Sequence, residues 1–529
     1  MSRVDGGELV GRALVREGVR CVFGLSGGHI DPSWRAIKRH GIRLVDLRHE
    51  AAAAHCAEGW ALTTGQTGVC IVTAGPGVTN ALTGIATAFV QGSPLVVLAG
   101  AASSRSADSG EVEALDQLEI VRPVTKWARR VTQLDRIPEY VAQAFRQARH
   151  GRPGPVYLEI AIDLIHAQIG EERVEWPSLL APGAHALAPP GSLVDEAARM
   201  LCDAERPAIV AGSGVWWSGA GEALRELAER GLPVATRRMG RGTLPDDHPN
   251  AFGRDWQNLV FQADVLLVVG TQLDSFFGYG RFPHLRHRIQ IDVNPEEIGR
   301  NRTPVNVGIV GDARLALGML AERVPDLPTS AWLTSLRAQA SARAAARDAL
   351  AKSDATPIHP LRLMAELNQR LASDATVVGD GANMLMYVDA MTRALEPGCV
   401  TSMGALGTIG HGICYALAGG LARPGSQALW LVGDGSFGFH AMELDSAARH
   451  DIPLVALVMN NGGWSAGWVP LGTRHYERMA AAFDGPGFFV ERPEQIGPAL
   501  DAALASHKPA IVNAMLDPAA EWFAGRWLG

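Results

Sequence analysis

A carboxylate and a side-chain amide stand at two points of one strand–helix–strand segment: Asp434 in Gly433-Asp434-Gly435-Ser436, and Asn461 in Asn460-Asn461. A helical stretch (Ala441 to His450) and an apolar strand (Leu454 to Met459) lie between them, so both are expected at neighbouring strand ends. Mg²⁺ takes oxygen ligands of this kind and shares them with the phosphates of a bound molecule. Gly433 and Gly435 let backbone N–H groups approach a phosphate, and the start of the following helix favours an anion. The chemistry implied is a magnesium-held diphosphate. A plain Gly-Asp-Gly turn followed by a loop would use the same residue types; the length and internal order of the segment favour the ligand site.

The elements that must position these residues follow from the rest of the chain. Short apolar runs alternate with helical patterns: Val22-Phe23-Gly24, Leu44-Val45-Asp46, Cys70-Ile71-Val72, Leu95 to Leu98 and Val156-Tyr157-Leu158, then Ala208-Ile209-Val210, Val265 to Val269 and Ile289 to Val293, then Thr376-Val377-Val378 and Leu429 to Val432. This βαβ rhythm predicts an α/β fold of three domains, each with a central parallel sheet flanked by helices. The expected boundaries are 1–180, 190–330 and 355–529, with a Pro-, Ala- and Gly-rich linker from Pro177 to Pro190 and a helical connector from Trp332 to Ala351. A chain of 529 residues is too long for one core. Its net charge of −7 argues against a nucleic-acid partner. Six cysteines without CxxC spacing read as free, mostly buried thiols. The N-terminus lacks an apolar secretory segment, and the Gly-rich Ala405–Ala422 stretch, with His411 inside it, reads as a buried helix and not a membrane span. A cytoplasmic enzyme without membrane contact is expected.

The Gly433–Asn461 segment resembles the signature of thiamine-diphosphate-dependent enzymes, the acetolactate synthase-like superfamily, which begins Gly-Asp-Gly and ends Asn-Asn. The resemblance implies thiamine diphosphate and Mg²⁺ as cofactors. It implies Asp434 and Asn461 as metal ligands through side-chain oxygens, and Gly463 through its carbonyl, which no side chain need supply. Gly433, Gly435 and Ser436, with Asp380-Gly381-Ala382-Asn383, would contact the diphosphate. Arg48-His49-Glu50, ahead of an Ala-rich helix, is by itself consistent with a helix-capping acid. Beside the signature it resembles the segment whose glutamate binds N1′ of the aminopyrimidine and promotes loss of the C2 proton, making Glu50 the activator. Thr73 to Asn80 is a Gly-rich turn opening a helix, and the resemblance places Pro76 and Asn80 near the pyrimidine. Gly404 to Gly410 resembles the loop around the bent cofactor, with Gly407 accepting from the 4′-amino group and Ile409 as an apolar wedge; plain core is the alternative for Ile409. In this family the cofactor is shared between subunits, which implies a homodimer or homotetramer.

Gly27-Gly28-His29-Ile30 should form an exposed turn whose imidazole can shuttle a proton. Together with Val121 to Ala128, it resembles benzaldehyde lyase and the 2-hydroxyacyl-CoA lyases over nearly the full length. In Val112 to Gln117, many relatives carry glutamine at the position of Glu113, whereas oxalyl-CoA decarboxylases carry glutamate. Glu113 is therefore a candidate proton donor or, alternatively, a surface acid. Trp464 and Trp468 either face the cofactor and substrate or bury locally. The segment after Asn461 lacks the Met- and Gln-rich character of acetolactate synthases, Thr73–Asn80 lacks the histidines of simple 2-keto-acid decarboxylases, and the middle block lacks a clear Gly-x-Gly-x-x-Gly for FAD. Arg237, Arg238 and Arg241 read as a solvated cluster, with the phosphate of a CoA thioester as the alternative. The expected activity is a carbon–carbon lyase and carboligase acting on a small 2-hydroxy carbonyl substrate, with His29, Glu50 and Glu113 catalytic. An acetolactate synthase-like carboligase or a 2-keto-acid decarboxylase is the alternative. A catalytically silent homologue is a further one, against which the retention of Glu50 and the metal residues argues.

Overall fold

The computed structural model describes residues 2–106, 108–179, 186–464 and 468–520. Residues 180–185 of the expected linker, and Ser465 to Gly467 between the two tryptophans, lie outside the described residues. The chain divides into two compact units. One comprises Met1–Pro182, Met403–Pro424 and Gly438–Leu454; the other comprises Gly183–Ser402, Gly425–Phe437 and Val455–Gly529.

The first unit is built on a six-stranded parallel sheet in the order Arg43–Asp46, Cys21–Gly24, Gly68–Val72, Leu95–Ala101, Pro155–Ala161, Trp127–Arg130. The inner strands are buried on both faces, which is why they read as unbroken apolar runs and not as alternating ones. Helix Glu50–Thr64 is buried along almost its whole length. Its small residues let other helices come close: a Cβ on Gly84 of helix Pro76–Gln91 would fall 2.5 Å from Ala54 Cβ, and one on Gly59 would fall 2.8 Å from Tyr415 Cα in helix Gly412–Ala422. The sequence predicts a helix over Ala405–Ala422, but only Gly412–Ala422 is helical. Residues before it form a loop in which Gly407 and Gly410 take φ of +74° and +81°, values that suit glycine and end any helix running through them.

Among the described residues, the second unit holds two large sheets and a small antiparallel pair, Gly463–Trp464 with Val469–Pro470. A five-stranded parallel sheet runs Val234–Thr236, Pro207–Ala211, Val265–Val269, His287–Asp292, Val307–Val310. A six-stranded parallel sheet runs Val400–Ser402, Thr376–Asp380, Ala428–Gly433, Val455–Asn460, Ala510–Met515, Gly487–Val490. Its strand order repeats that of the first unit. In both, the chain builds one strand outward and then returns to the other side of the first strand. This leaves a topological switch point, between Cys21–Gly24 and Gly68–Val72 in one sheet and between Thr376–Asp380 and Ala428–Gly433 in the other. Open α/β sheets bind ligands at the carboxyl ends of the strands at such points. No described helix is long and apolar enough to cross a membrane.

Candidate active site

In the first unit, the residues singled out by the sequence gather at the switch point. Glu50 is the first residue of its helix and 6% exposed, and it accepts a hydrogen bond from Asn80 Nδ2 at 2.9 Å. His49 caps that helix instead, its Nδ1 accepting from Ala51 N. The glutamate is therefore not used as a cap, and its carboxyl group is directed by Asn80. Thr73 follows strand Gly68–Val72, and its hydroxyl donates to Glu113 Oε2 at 3.1 Å. His29 follows strand Cys21–Gly24, and its Nδ1 lies 3.0 Å from the same carboxylate oxygen. The expected exposed turn is thus only partly so: the His29 side chain is 11% exposed and Glu113 29%. Gly100 makes room for it, since a Cβ there would sit 2.3 Å from His29 Cβ. Thr73 Oγ1, which donates to Glu113, also lies 3.4 Å from His29 Nδ1, so the hydroxyl bridges the imidazole and the carboxylate.

Two further residues hold this arrangement, and sequence reasoning assigned neither a role. Gln117 is buried, accepts from Gly75 N at 2.6 Å, and donates to Gly100 O, Tyr157 Oη and Glu159 Oε2 at 2.9–3.0 Å. It ties the Gly75-Pro76 turn, where Gly75 takes φ +55°, to two inner strands. Thr73 links His29 to Glu113. Nothing in the local pattern distinguishes either residue from an ordinary polar loop residue. Gly407 is exposed and Ile409 half-buried, so Ile409 is not simple core. The hydroxyls of Thr408 and Thr87 fix the loop at 2.9 Å.

The same unit buries titratable groups away from this site. Glu58 accepts from Tyr415 Oη at 2.7 Å and Ser93 Oγ at 2.9 Å, and burial pushes its carboxyl up to about 7 against those bonds. Burial also pushes Glu443 up to about 7, although Ser446 Oγ and the backbone N–H of Arg48 hydrogen-bond to it.

In the second unit, strands Ala428–Gly433 and Val455–Asn460 are neighbours, with Gly433 opposite Met459. That register sets Asp434 and Asn461 side by side. Turned one way, the Asn461 amide would donate to Asp434 Oδ1 at 3.1 Å and to Gly463 O at 2.9 Å; turned the other way, it presents its oxygen to the same two oxygens. Octahedral Mg²⁺, at about 2.0–2.1 Å from each ligand, places adjacent ligand oxygens roughly 3 Å apart. Asp434 Oδ2 is buried without a hydrogen-bond partner. The donor set of one carboxylate, one amide and one carbonyl, and the orphaned oxygen, therefore fit a hard cation. Burial raises the Asp434 carboxyl, opposed by nearby backbone N–H groups.

The two asparagines divide their work. Asn460 is fully buried, donates to Asn513 Oδ1 at 3.1 Å and accepts from Gly462 N at 3.0 Å, so it shapes the loop that carries Asn461. Gly381, at φ +113°, opens helix Ala382–Met391, and a Cβ on it would lie 3.1 Å from Ser436 Oγ. Ala382 and Asn383 are exposed in the first turn of that helix. A Cβ on Gly435 would strike the Trp464 ring at 2.7 Å, so the glycine lets the indole lie over the turn. Trp468, by contrast, is 87% exposed.

The arginine cluster is a correction. Arg237 pairs with Asp389 at 2.9 Å and lies 4.7 Å over the Trp256 ring; Arg241 pairs with Asp246 at 2.7 Å; Arg238 pairs with Asp274. Arg237 and Arg241 are buried. The cluster is not a freely solvated one: each of the three guanidinium groups pairs with a carboxylate, and only Arg238 is partly exposed.

Switch-point crevices, one bearing paired acid and base groups and the other converging oxygen ligands, are those of a cofactor-dependent α/β enzyme. Comparison with known proteins names the family. The description "Thiamine pyrophosphate enzyme, N-terminal TPP binding domain" matches residues 4–120, the corresponding central domain residues 194–320, and the C-terminal TPP binding domain residues 380–514. The chain belongs to the thiamine pyrophosphate enzyme family. It is 36% identical over 530 residues to a probable acetolactate synthase of Mycobacterium bovis, covering 97% of this chain and 96% of that one. It is 30% identical over 551 residues to 2-hydroxyacyl-CoA lyase 1 of Mus musculus, with 98% and 94% covered. It is 30% identical over 550 residues to oxalyl-CoA decarboxylase of Escherichia coli, with 98% and 96% covered.

Proposed function

We propose that this enzyme cleaves, reversibly, a 2-hydroxy carbonyl compound, either a 2-hydroxyacyl-CoA or an acyloin, to an aldehyde or ketone plus a one-carbon or acyl fragment, using thiamine diphosphate and Mg²⁺. The observation that carries this reading is the His29–Glu113–Thr73 cluster. Breaking the C–C bond of such a substrate releases its hydroxyl proton, and His29, held against Glu113 and Thr73, is the group to take it. Bound thiamine diphosphate supplies the nucleophile and the electron sink for the acyl carbon. Glu50, oriented by Asn80, holds a proton at N1′ of the aminopyrimidine. Pro76, Asn80, Gly407 and Ile409 surround that ring. Asp434, Asn461 and the carbonyl of Gly463 hold Mg²⁺. Gly381, Ala382, Asn383, Gly433, Gly435 and Ser436 cradle the diphosphate, and Trp464 covers the turn. The remaining fragment takes up one proton before release, and Glu113, beside the imidazole that received the hydroxyl proton, is the group to pass it on.

In this reading the three domains span 1–180, 190–330 and 355–529, and the enzyme works as a homodimer or homotetramer whose copies share cofactors. Its free thiols suit the cytoplasm. A second reading, an acetolactate synthase-like carboligase using pyruvate, is favoured by the 36% identity to a protein of that name. Purified enzyme with thiamine diphosphate and Mg²⁺ decides between them. Aldehyde release from a 2-hydroxyacyl-CoA or from benzoin supports the first, and acetolactate from pyruvate supports the second. Cleavage that survives His29→Ala undiminished would remove the basis of the first.

A further inference from the structure

Among the described residues, the five-stranded sheet carries a buried cation with no counter-charge. Arg288, on strand His287–Asp292, is 2% exposed. Its Nη2 donates to the carbonyl of Gly280, while Nε and Nη1 are buried and meet no acceptor. Burial alone lowers its pKa, with no carboxylate opposing. Guanidinium groups this deeply buried are ordinarily paired, as Arg237 and Arg241 are in the same unit.

Arg288 lines a cavity of about 140 Å³, together with Gly280, Arg281, Arg286, His287 and Thr303 among others, and among the described residues no acid is in the lining. Arg281, Arg286 and His287 are exposed and bring further N–H donors to the opening. Gly280 takes φ +74°, and a Cβ there would lie 2.9 Å from Nη2 of Arg288, so the glycine keeps the guanidinium in place. His287 and Arg288 are the first two residues of their strand, not its carboxyl end, where open α/β sheets hold their usual ligands.

We propose that this cavity is an anion site for a phosphate group, separate from the diphosphate site. Three guanidinium groups and an imidazole without a facing acid favour a dianion over a lone carboxylate. The space admits several waters and so has room for a phosphate group. The ligand class is free phosphate or the phosphoryl head of an ester.

The test uses full-length enzyme saturated with thiamine diphosphate and Mg²⁺, so that the diphosphate site is filled. Tm is followed against inorganic phosphate, AMP and acetate at constant ionic strength. The wild type should show a saturable rise with phosphate or AMP and none with acetate. A tighter midpoint for AMP assigns the site to an ester head, and a tighter one for phosphate to the free ion. Arg288→Met should weaken the midpoint at least tenfold, as expected for a lost charge-assisted contact, without lowering the ligand-free Tm. Arg286→Ala changes an exposed side chain and should weaken binding several-fold; it decides the question if Arg288→Met fails to fold. No saturable rise in the wild type, an equal response to acetate, or equal midpoints in wild type and variants would each overturn the proposal.

Discussion

Replacing Glu58 by glutamine should make the enzyme more stable at pH 8 and leave it unchanged at pH 4. Glu58 is fully buried in helix Glu50–Thr64, and its carboxyl is pushed from 4.5 up to about 7 by burial, only partly offset by Tyr415 and Ser93. A folded-state pKa above the unfolded one means that the unfolded chain gives up its proton first as pH rises. Stability is therefore whole below pH 4.5 and falls between pH 4.5 and 7, by about 3 kcal/mol at roughly 1.4 kcal/mol per pH unit. Glutamine keeps the shape, accepts from Tyr415 Oη and donates to Ser93 Oγ, whose hydroxyl can turn to accept. It has no proton to lose. Equilibrium urea unfolding of wild type and Glu58→Gln at pH 4, 6 and 8 should show a gap that opens with pH in favour of the variant. A stability difference that does not change with pH would refute the reasoning, since the carboxyl group would then titrate alike in the folded and unfolded chain.

Other perturbations have equally definite outcomes. Glu50→Gln should lower kcat by roughly 10²–10⁴ while calorimetry still detects thiamine diphosphate binding, because the carboxyl group acts on the ring and not on the diphosphate. Removing Mg²⁺ with a chelator should abolish activity reversibly, and Asp434→Ala should abolish it irreversibly, with loss of cofactor affinity on titration. Glu113→Gln should cut turnover about tenfold or more and shift the pH–rate profile, since an amide beside the imidazole carries no negative charge and passes on no proton. Gly59→Ala should destabilise by about 1–3 kcal/mol in thermal unfolding, because its Cβ would meet the Tyr415 backbone.

Much of this was legible in local pattern. Parallel strands buried on both faces are apolar along their whole length, so Gly68–Val72, Leu95–Ala101 and Ala428–Gly433 announce themselves. The Asp434 and Asn461 pairing was legible because a single strand–helix–strand segment carries both. Helix limits were less so: nothing in an apolar run states that Gly407 and Gly410 adopt positive φ. The arginine trio misled for a related reason. Asp246 lies only five residues beyond Arg241, but Asp274 lies in another loop and Asp389 on helix Ala382–Met391, and only folding brings those two near.

The sequence by itself determined the α/β architecture and the placing of Asp434 and Asn461 at neighbouring strand ends, because each depends on residues close along the chain. Only the tertiary structure decided that His29, Thr73 and Glu113 form one cluster, that Gln117 anchors the Gly75 turn, that Asn460 is a loop brace while Asn461 faces Asp434, and that Arg288 is buried without a counter-charge. Those facts depend on side chains from distant segments meeting at strand ends, where sheet order and register, not local propensity, set the distances.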